Sequence, residues 1–232
     1  LASALLVLVG LYVRLRLQET PAFQQAIDNN ERVRLPMLTV VTGHTRALIL
    51  GTFAATATFV LFYLMTVFTL SWGTSALGFS RERFLVLQMI AVLFFALTIP
   101  LSALVADRHG RTRMLVIATV AIIVFGFFWA PLFTSATTGV LIFLSLGLAL
   151  MGLTYGPLGT ALAELFPTAV RYTGASLTFN LAGIVGASLA PYIATWLATH
   201  HGIAAVGWYL SIAGAVTLVA LLGIGGTARA TR

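Results

Sequence analysis

An all-α, membrane-embedded fold follows from three properties of the sequence. Only 8% of residues are charged and 59% are hydrophobic, whereas soluble domains carry about 25% charged residues; the mean hydropathy is +1.02. Residues 84–106, 114–163 and 172–228 carry no formal charge, and a bilayer-crossing helix needs roughly 20 apolar residues, so these runs hold one, two and two spans. The runs are apolar on every face, unlike the alternating strands of a membrane β-barrel.

The elements are taken in chain order. Residues 1–13 read as the end of a preceding transmembrane helix, since they lack the basic start and small-residue cleavage site of a signal peptide. Residues 14–46 are the longest polar stretch, with Arg14, Arg16, Glu19, Asp28, Glu31, Arg32, Arg34 and Arg46, and are expected to be a linker. Within it Thr20 and Pro21 suit a helix start, which predicts a short amphipathic surface helix from Pro21 to Asn29, ended by the Asn29-Asn30 turn. Six spans are expected at 47–71, 84–106, 114–132, 138–162, 174–198 and 204–225. They make a six-helix transmembrane domain over 47–226, followed by a tail at 227–232. Gly147, Gly152, Gly156, Gly159, Gly183 and Gly186 sit inside spans, where small residues let helices approach closely. Pro100, Pro157 and Pro191 are also intraspan, where a bundle tolerates them.

All thirteen basic residues are Arg and the net charge is +7. The connections alternate sides. Arg14, Arg16, Arg32, Arg34, Arg46, Arg108, Arg111, Arg113, Arg171, Arg229 and Arg232 fall on one side, and Arg81 and Arg83 on the other. The positive-inside rule makes the Arg-rich side cytoplasmic, with the C-terminus inside. Topology thus accounts for the basic charge, and no nucleic-acid partner is implied. The absence of Cys removes disulfides, thiol catalysis and thiolate metal sites. The acids Glu19, Asp28, Glu31, Glu82, Asp107 and Glu164 all fall at loops or span boundaries. No catalytic constellation, phosphate-binding Gly loop, metal site or cofactor site is expected.

Two charged motifs are expected to build a cytoplasmic gate. The first is Asp107-Arg108-His109-Gly110-Arg111-Thr112-Arg113, where Gly110 permits a tight reversal and Asp107 can cap a helix or pair with Arg. The second is Glu164-Leu-Phe-Pro-Thr-Ala-Val-Arg171, in which Glu164 is expected to pair with Arg171 and with the Arg cluster at 108–113. Polar residues inside spans usually face a cavity or the bundle interior. Tyr63, Thr66, Gln88, Tyr155 and Asn180 are therefore candidates for a solute path. Trp72 and Trp208 are expected at the interfacial belts, and His200 and His201 in a solvated outer loop.

The first motif resembles the Asp-Arg-x-Gly-Arg-Arg signature of the major facilitator superfamily, which lies between the second and third helices of each six-helix half. Ala103 stands where that signature has a preceding Gly. Glu164 to Arg171 is similar to the superfamily loop between the fourth and fifth helices of a half. The stretch from Tyr155-Gly-Pro through Arg171-Tyr-Thr-Gly-Ala-Ser and Asn180 to Pro191-Tyr-Ile-Ala-Thr resembles the metabolite:proton symporter family, as do Arg16 to Phe23 and Phe62-Tyr63-Leu-Met-Thr-Val. Ala187 stands where that family often has a second Gly. The resemblance implies the C-terminal half of a twelve-helix fold and a partner N-terminal half. It also implies alternating-access symport of protons with a small organic solute such as a dicarboxylate, 2-oxoglutarate, citrate, shikimate, proline or betaine, in a bacterial inner membrane. Any intramembrane proton carrier would lie in the other half, because no Asp, Glu or Lys falls mid-span here. Two rival readings remain: a sugar or drug transporter of the same superfamily, and a membrane scaffold subunit without transport.

Overall fold

The computed structural model describes Val7, residues 9–12 and residues 35–230. Val7 and 9–12 are helical and exposed. The linker residues 14–34, with the expected surface helix Pro21 to Asn29, lie outside the described residues.

Among the described residues every regular element is a helix. Helix α1 (Pro36–Gly43) precedes α2 (Thr45–Tyr63), a π turn (Leu64–Phe68) and α3 (Thr69–Ser75). Next come α4 (Arg81–His109), α5 (Arg111–Phe127), α6 (Trp129–Leu132) and α7 (Thr137–Ala163). A 3-10 turn (Thr168–Val170), α8 (Arg171–Ala187), α9 (Ala190–His201) and α10 (Ala204–Ala230) complete the order. Five stretches are long and apolar enough to cross a membrane: Thr45–Ser75, Arg81–His109, Thr137–Ala163, Thr168–His201 and Ala204–Gly225.

Three spans differ from expectation. The span expected at 114–132 is interrupted: Phe128 leaves helical geometry at φ −92° and ψ 7°, so α5 is 17 residues long and α6 continues after a break. The span expected at 174–198 is two helices, divided at Ser188-Leu189, with Pro191 in the first turn of α9, where its lost N–H costs nothing. The first span reaches Ser75 but holds a π turn. The connection expected at Asp107 to Arg113 shrinks to Gly110, whose φ of +97° only Gly adopts readily. Asp107 and Arg108 close α4, and Arg111 opens α5.

Small residues set the helix contacts. At the α4–α7 crossing, Thr98 Oγ1 donates to Ala149 O at 3.1 Å and Ser102 Oγ donates to Gly152 O at 3.1 Å. A Cβ on Gly152 or Gly156 would collide with Thr98 or Ser102. Gly126 and Gly207 bring α5 and α10 into backbone contact, joined by Ser211 Oγ to Ile123 O at 2.9 Å. On α2, the Thr217 hydroxyl of α10 enters the backbone ladder, donating to Phe53 O at 2.7 Å and accepting from Ala57 N at 3.0 Å. A Cβ on Gly186 of α8 would lie 2.8 Å from Thr56 O of α2.

The largest core cluster lies toward the end opposite Gly110. It gathers Phe68, Phe125, Trp129, Phe133 and Phe143, whose rings stack or meet edge-on. Burial is uneven across the spans. Only 22% of the most apolar window of α4 and 28% of that of the α8–α9 stretch is buried, against 50–67% elsewhere. Tyr155 of α7 is exposed between α4 and α8, its ring 5.8 Å from Phe95 and 6.5 Å from Phe179. The sparsely buried helices therefore flank one open face.

Candidate functional site: an open wall and a charged end

Four of the five path candidates divide into two groups by contact. Tyr63 of α2 and Asn180 of α8 line one cavity of about 440 Å³, together with Phe59, Phe179 and Ser188. A ring row, Phe59 to Phe179 at 4.8 Å and Phe179 to Tyr155 at 6.5 Å, extends this wall to α7. Asn180 Nδ2 donates to Ser176 O at 2.8 Å, one turn back on its own helix. That bond leaves its carbonyl oxygen as the acceptor available to the cavity. None of the cavity's lining residues carries a formal charge.

Gln88 and Thr66 belong elsewhere. Gln88 Nε2 donates to Met65 O at 2.9 Å and Thr66 O at 3.0 Å, within the π turn. The Thr66 hydroxyl donates to Phe62 O at 2.6 Å. Both are committed to backbone carbonyls, and neither lines the cavity. Tyr63 lines the cavity and Thr66, within the π turn, does not.

The charged end assembles across three helices. Arg111 Nη2 donates to Asp107 Oδ1 at 2.9 Å, and Arg111 Nη1 donates to Glu164 Oε1. Asp107 ends α4 and Glu164 caps α7, both beside outward-pointing carbonyls, while Arg111 sits at the amide-rich start of α5. Each charge opposes its own helix dipole, so the pairing satisfies charges their helices do not. Gly110 makes the triad possible by turning the chain between Asp107 and Arg111 in one residue. Arg171 does not pair with Glu164 as expected. Its Nε donates to Phe166 O at 3.3 Å, because the 3-10 turn brings that carbonyl back over the start of α8. Arg108 is exposed, and Arg111 makes both ion pairs found among the described residues.

A second cavity, about 510 Å³, adjoins this end and is lined by His44, Arg46, Thr112 and Glu164. Among the described residues, no group of three or more His, Cys, Asp or Glu could hold a metal ion.

Other aromatic residues fall into place around this frame. Trp72 is half-buried and stacks on Phe68 at 5.9 Å; Trp208 is exposed and meets Phe127 edge-on at 4.9 Å. His200 and His201 close α9 rather than sit in a loop, and both rings pack on Trp196. Sequence reasoning passed over Trp129, which is fully buried with its indole N–H lacking an acceptor among the described residues. It also passed over the π turn, which no Gly or Pro announces.

Residues 1–187 match the model of the Major Facilitator Superfamily. The chain belongs to the Major Facilitator Superfamily. It is 48% identical to the inner membrane metabolite transport protein YhjE of Escherichia coli, over 95% of this chain and 51% of that protein. It is 30% identical to a shikimate transporter of Escherichia coli, over 86% of the chain and 47% of the relative. A proline/betaine transporter of the same organism is 28% identical over 91% and 44% respectively. The chain thus spans about half the length of the curated relatives it matches. No solved structure matches. The five membrane-length helical stretches and the family agree on a multi-pass membrane protein with half of the superfamily fold.

Proposed function

We propose that this chain is the C-terminal half of a proton-coupled symporter for a small organic solute, working by alternating access in a bacterial inner membrane. The observation that carries the reading is the open wall of Tyr63, Tyr155 and Asn180 on the face flanked by α4 and α8. A face so apolar and so little buried calls for a covering partner, and the N-terminal half of the transporter is that partner. The solute then binds between the halves, near the midplane, as in two-half transporters generally.

The wall suits an uncharged or weakly polar part of the solute. Aromatic faces offer apolar and cation–π contact, Asn180 offers a carbonyl oxygen and Tyr63 a hydroxyl. Among the described residues no carboxylate lines this wall, and the proton carrier is proposed to lie in the other half. The Asp107–Arg111–Glu164 triad joins α4, α5 and α7 at the cytoplasmic end, with Arg171 fixing the following turn. Because these four residues all belong to one half, they brace that half as a unit. Arg108, exposed beside them, is the residue that reaches across to the partner half and latches the inner side shut. The Arg asymmetry of eleven to two supports a cytoplasmic C-terminus.

Uptake of labelled proline, glycine betaine and shikimate by cells expressing the full-length protein tests this reading. Accumulation of at least one solute, abolished by a protonophore, is the expected result. Uptake that survives collapse of the proton gradient contradicts the coupling.

A further inference from the structure

The π turn of the first span and the side chain that holds it carry a consequence for the solute wall. In an α-helix each N–H reaches the carbonyl four residues back. Here the Thr69 N–H reaches Leu64 O, five back. Such turns are rare inside helices and tend to occur at functional sites. The widened turn presents the Met65 and Thr66 carbonyls sideways, toward α4. Both N–H groups of the Gln88 amide are available to these carbonyls, at 2.9 and 3.0 Å. The Thr69 hydroxyl also donates to Met65 O, at 2.6 Å. Leu64, Met65, Phe68 and Thr69 are buried and Thr66 is half-buried; without Gln88 the Met65 carbonyl keeps the Thr69 hydroxyl, and the Thr66 carbonyl is the one that loses its side-chain donor.

The turn has one residue more than an α-helix needs. Removing the excess would rotate one side of the helix against the other by about 100°. Both sides are otherwise held. Below, Thr217 is threaded into α2 and Gly186 of α8 abuts Thr56. Above, Gly73 of α3 admits the Phe84 ring of α4. Tyr63, at the lower edge of the turn, and Val67, inside it, both line the cavity. Their relative angle is therefore a property of the turn, and Gln88 is the group from another helix that fixes it.

We propose that Gln88 is a positioning residue for transport: by donating to Met65 O and Thr66 O it locks the π register that sets Tyr63 and Val67 in the solute wall. The proposal rests on the transport reading above and goes beyond it, because Gln88 itself stands behind the wall.

The test uses the full-length protein. Gln88→Leu has similar bulk and no donor; Gln88→Asn keeps the amide but is one methylene short. Thr98→Val is the control, since Thr98 makes a comparable α4-to-carbonyl bond, to Ala149 O at 3.1 Å, away from the turn. With the solute that the wild type accumulates among labelled proline, glycine betaine and shikimate, Gln88→Leu should raise KM about tenfold with the maximal rate within about twofold; small misplacements of binding groups have effects of this order. Gln88→Asn should fall between wild type and Gln88→Leu, and Thr98→Val should leave KM unchanged. A second readout needs no solute. In a cysteine-free background, maleimide labelling of Val67→Cys should change in rate by about threefold or more when Gln88→Leu is added, because the turn, without its donor from α4, no longer holds Val67 at one position in the wall. Unchanged KM and unchanged labelling in Gln88→Leu would overturn the proposal, as would equal changes in Thr98→Val. If no probe is accumulated by the wild type, the transport reading fails on its own and the labelling result still decides whether Gln88 sets the register.

Discussion

At the residue scale, the Asp107–Arg111–Glu164 triad is a placement of charge more than a source of stability. The Asp107 and Glu164 side chains are 61% and 53% exposed, and such pairs contribute about 0–1 kcal/mol. Arg111→Gln should therefore lower the melting temperature by only a few degrees, and raising the salt concentration should shrink the difference. Its effect on transport should be larger than its effect on melting, because the triad ties together the three helices that meet Gly110. Melting curves at two ionic strengths, paired with uptake rates, check both statements. Asn180→Ala should leave melting unchanged, since the amide's bond stays within its own helix. It should still raise the solute KM, because the cavity loses its carbonyl oxygen. Gly110, Asp107, Arg111 and Glu164 were legible in the sequence because charge is scarce there, and a charge beside a span has few places to go. The Arg171–Glu164 pairing was misjudged for a local reason. The 3-10 turn at Thr168–Val170 brings the Phe166 carbonyl closer to Arg171 than the acid, and nothing in the spacing reveals that.

At the element scale, the uncharged runs located the helices but not their interruptions. A break at Phe128 and a division at Ser188-Leu189 leave hydropathy unchanged, because backbone geometry, and not composition, is what alters. The π turn is the same kind of feature. Its partner Gln88 was visible as a polar residue in a span, but its role depends on the carbonyls opposite it. Tyr63 and Asn180 were found by the same polar-in-span argument, and there the structure does bring them into one cavity. Gly147, Gly152, Gly156 and Gly186 were legible as contact points and lie at close crossings, whereas Gly159 faces open space and the Gly126–Gly207 contact was not foreseen. Gly207 faces the Gly126 carbonyl so closely that a side chain must push α10 off α5. Overpacking of this kind costs about 1–3 kcal/mol, so Gly207→Val should reduce thermal stability and the yield of folded protein in detergent. Gly159, where a Cβ meets nothing within 4 Å, should accept Ala without loss. Thermal unfolding of the two variants side by side measures the contrast.

At the scale of the whole molecule, the uneven burial is the organising fact. Two of the helices that cross the membrane are little buried, and they flank the wall that Tyr63, Tyr155 and Asn180 line. The sequence located the apolar runs, yet it could not say which helices leave most of their surface unburied. That depends on which faces the packing leaves over. Lipid alone would be an adequate cover for an apolar face, but it would not call for Asn180 and two tyrosines at this depth. The proposed solute pathway between two halves would account for both the apolar flanks and the polar wall. The direct measurement is solute protection at the wall. In the full-length protein with Asn180→Cys as its single cysteine, a membrane-permeant maleimide should label the site, and saturating concentrations of the accumulated solute should slow labelling severalfold. A site that labels at the same rate with and without a solute the protein demonstrably carries would contradict the placement of the pathway on this face.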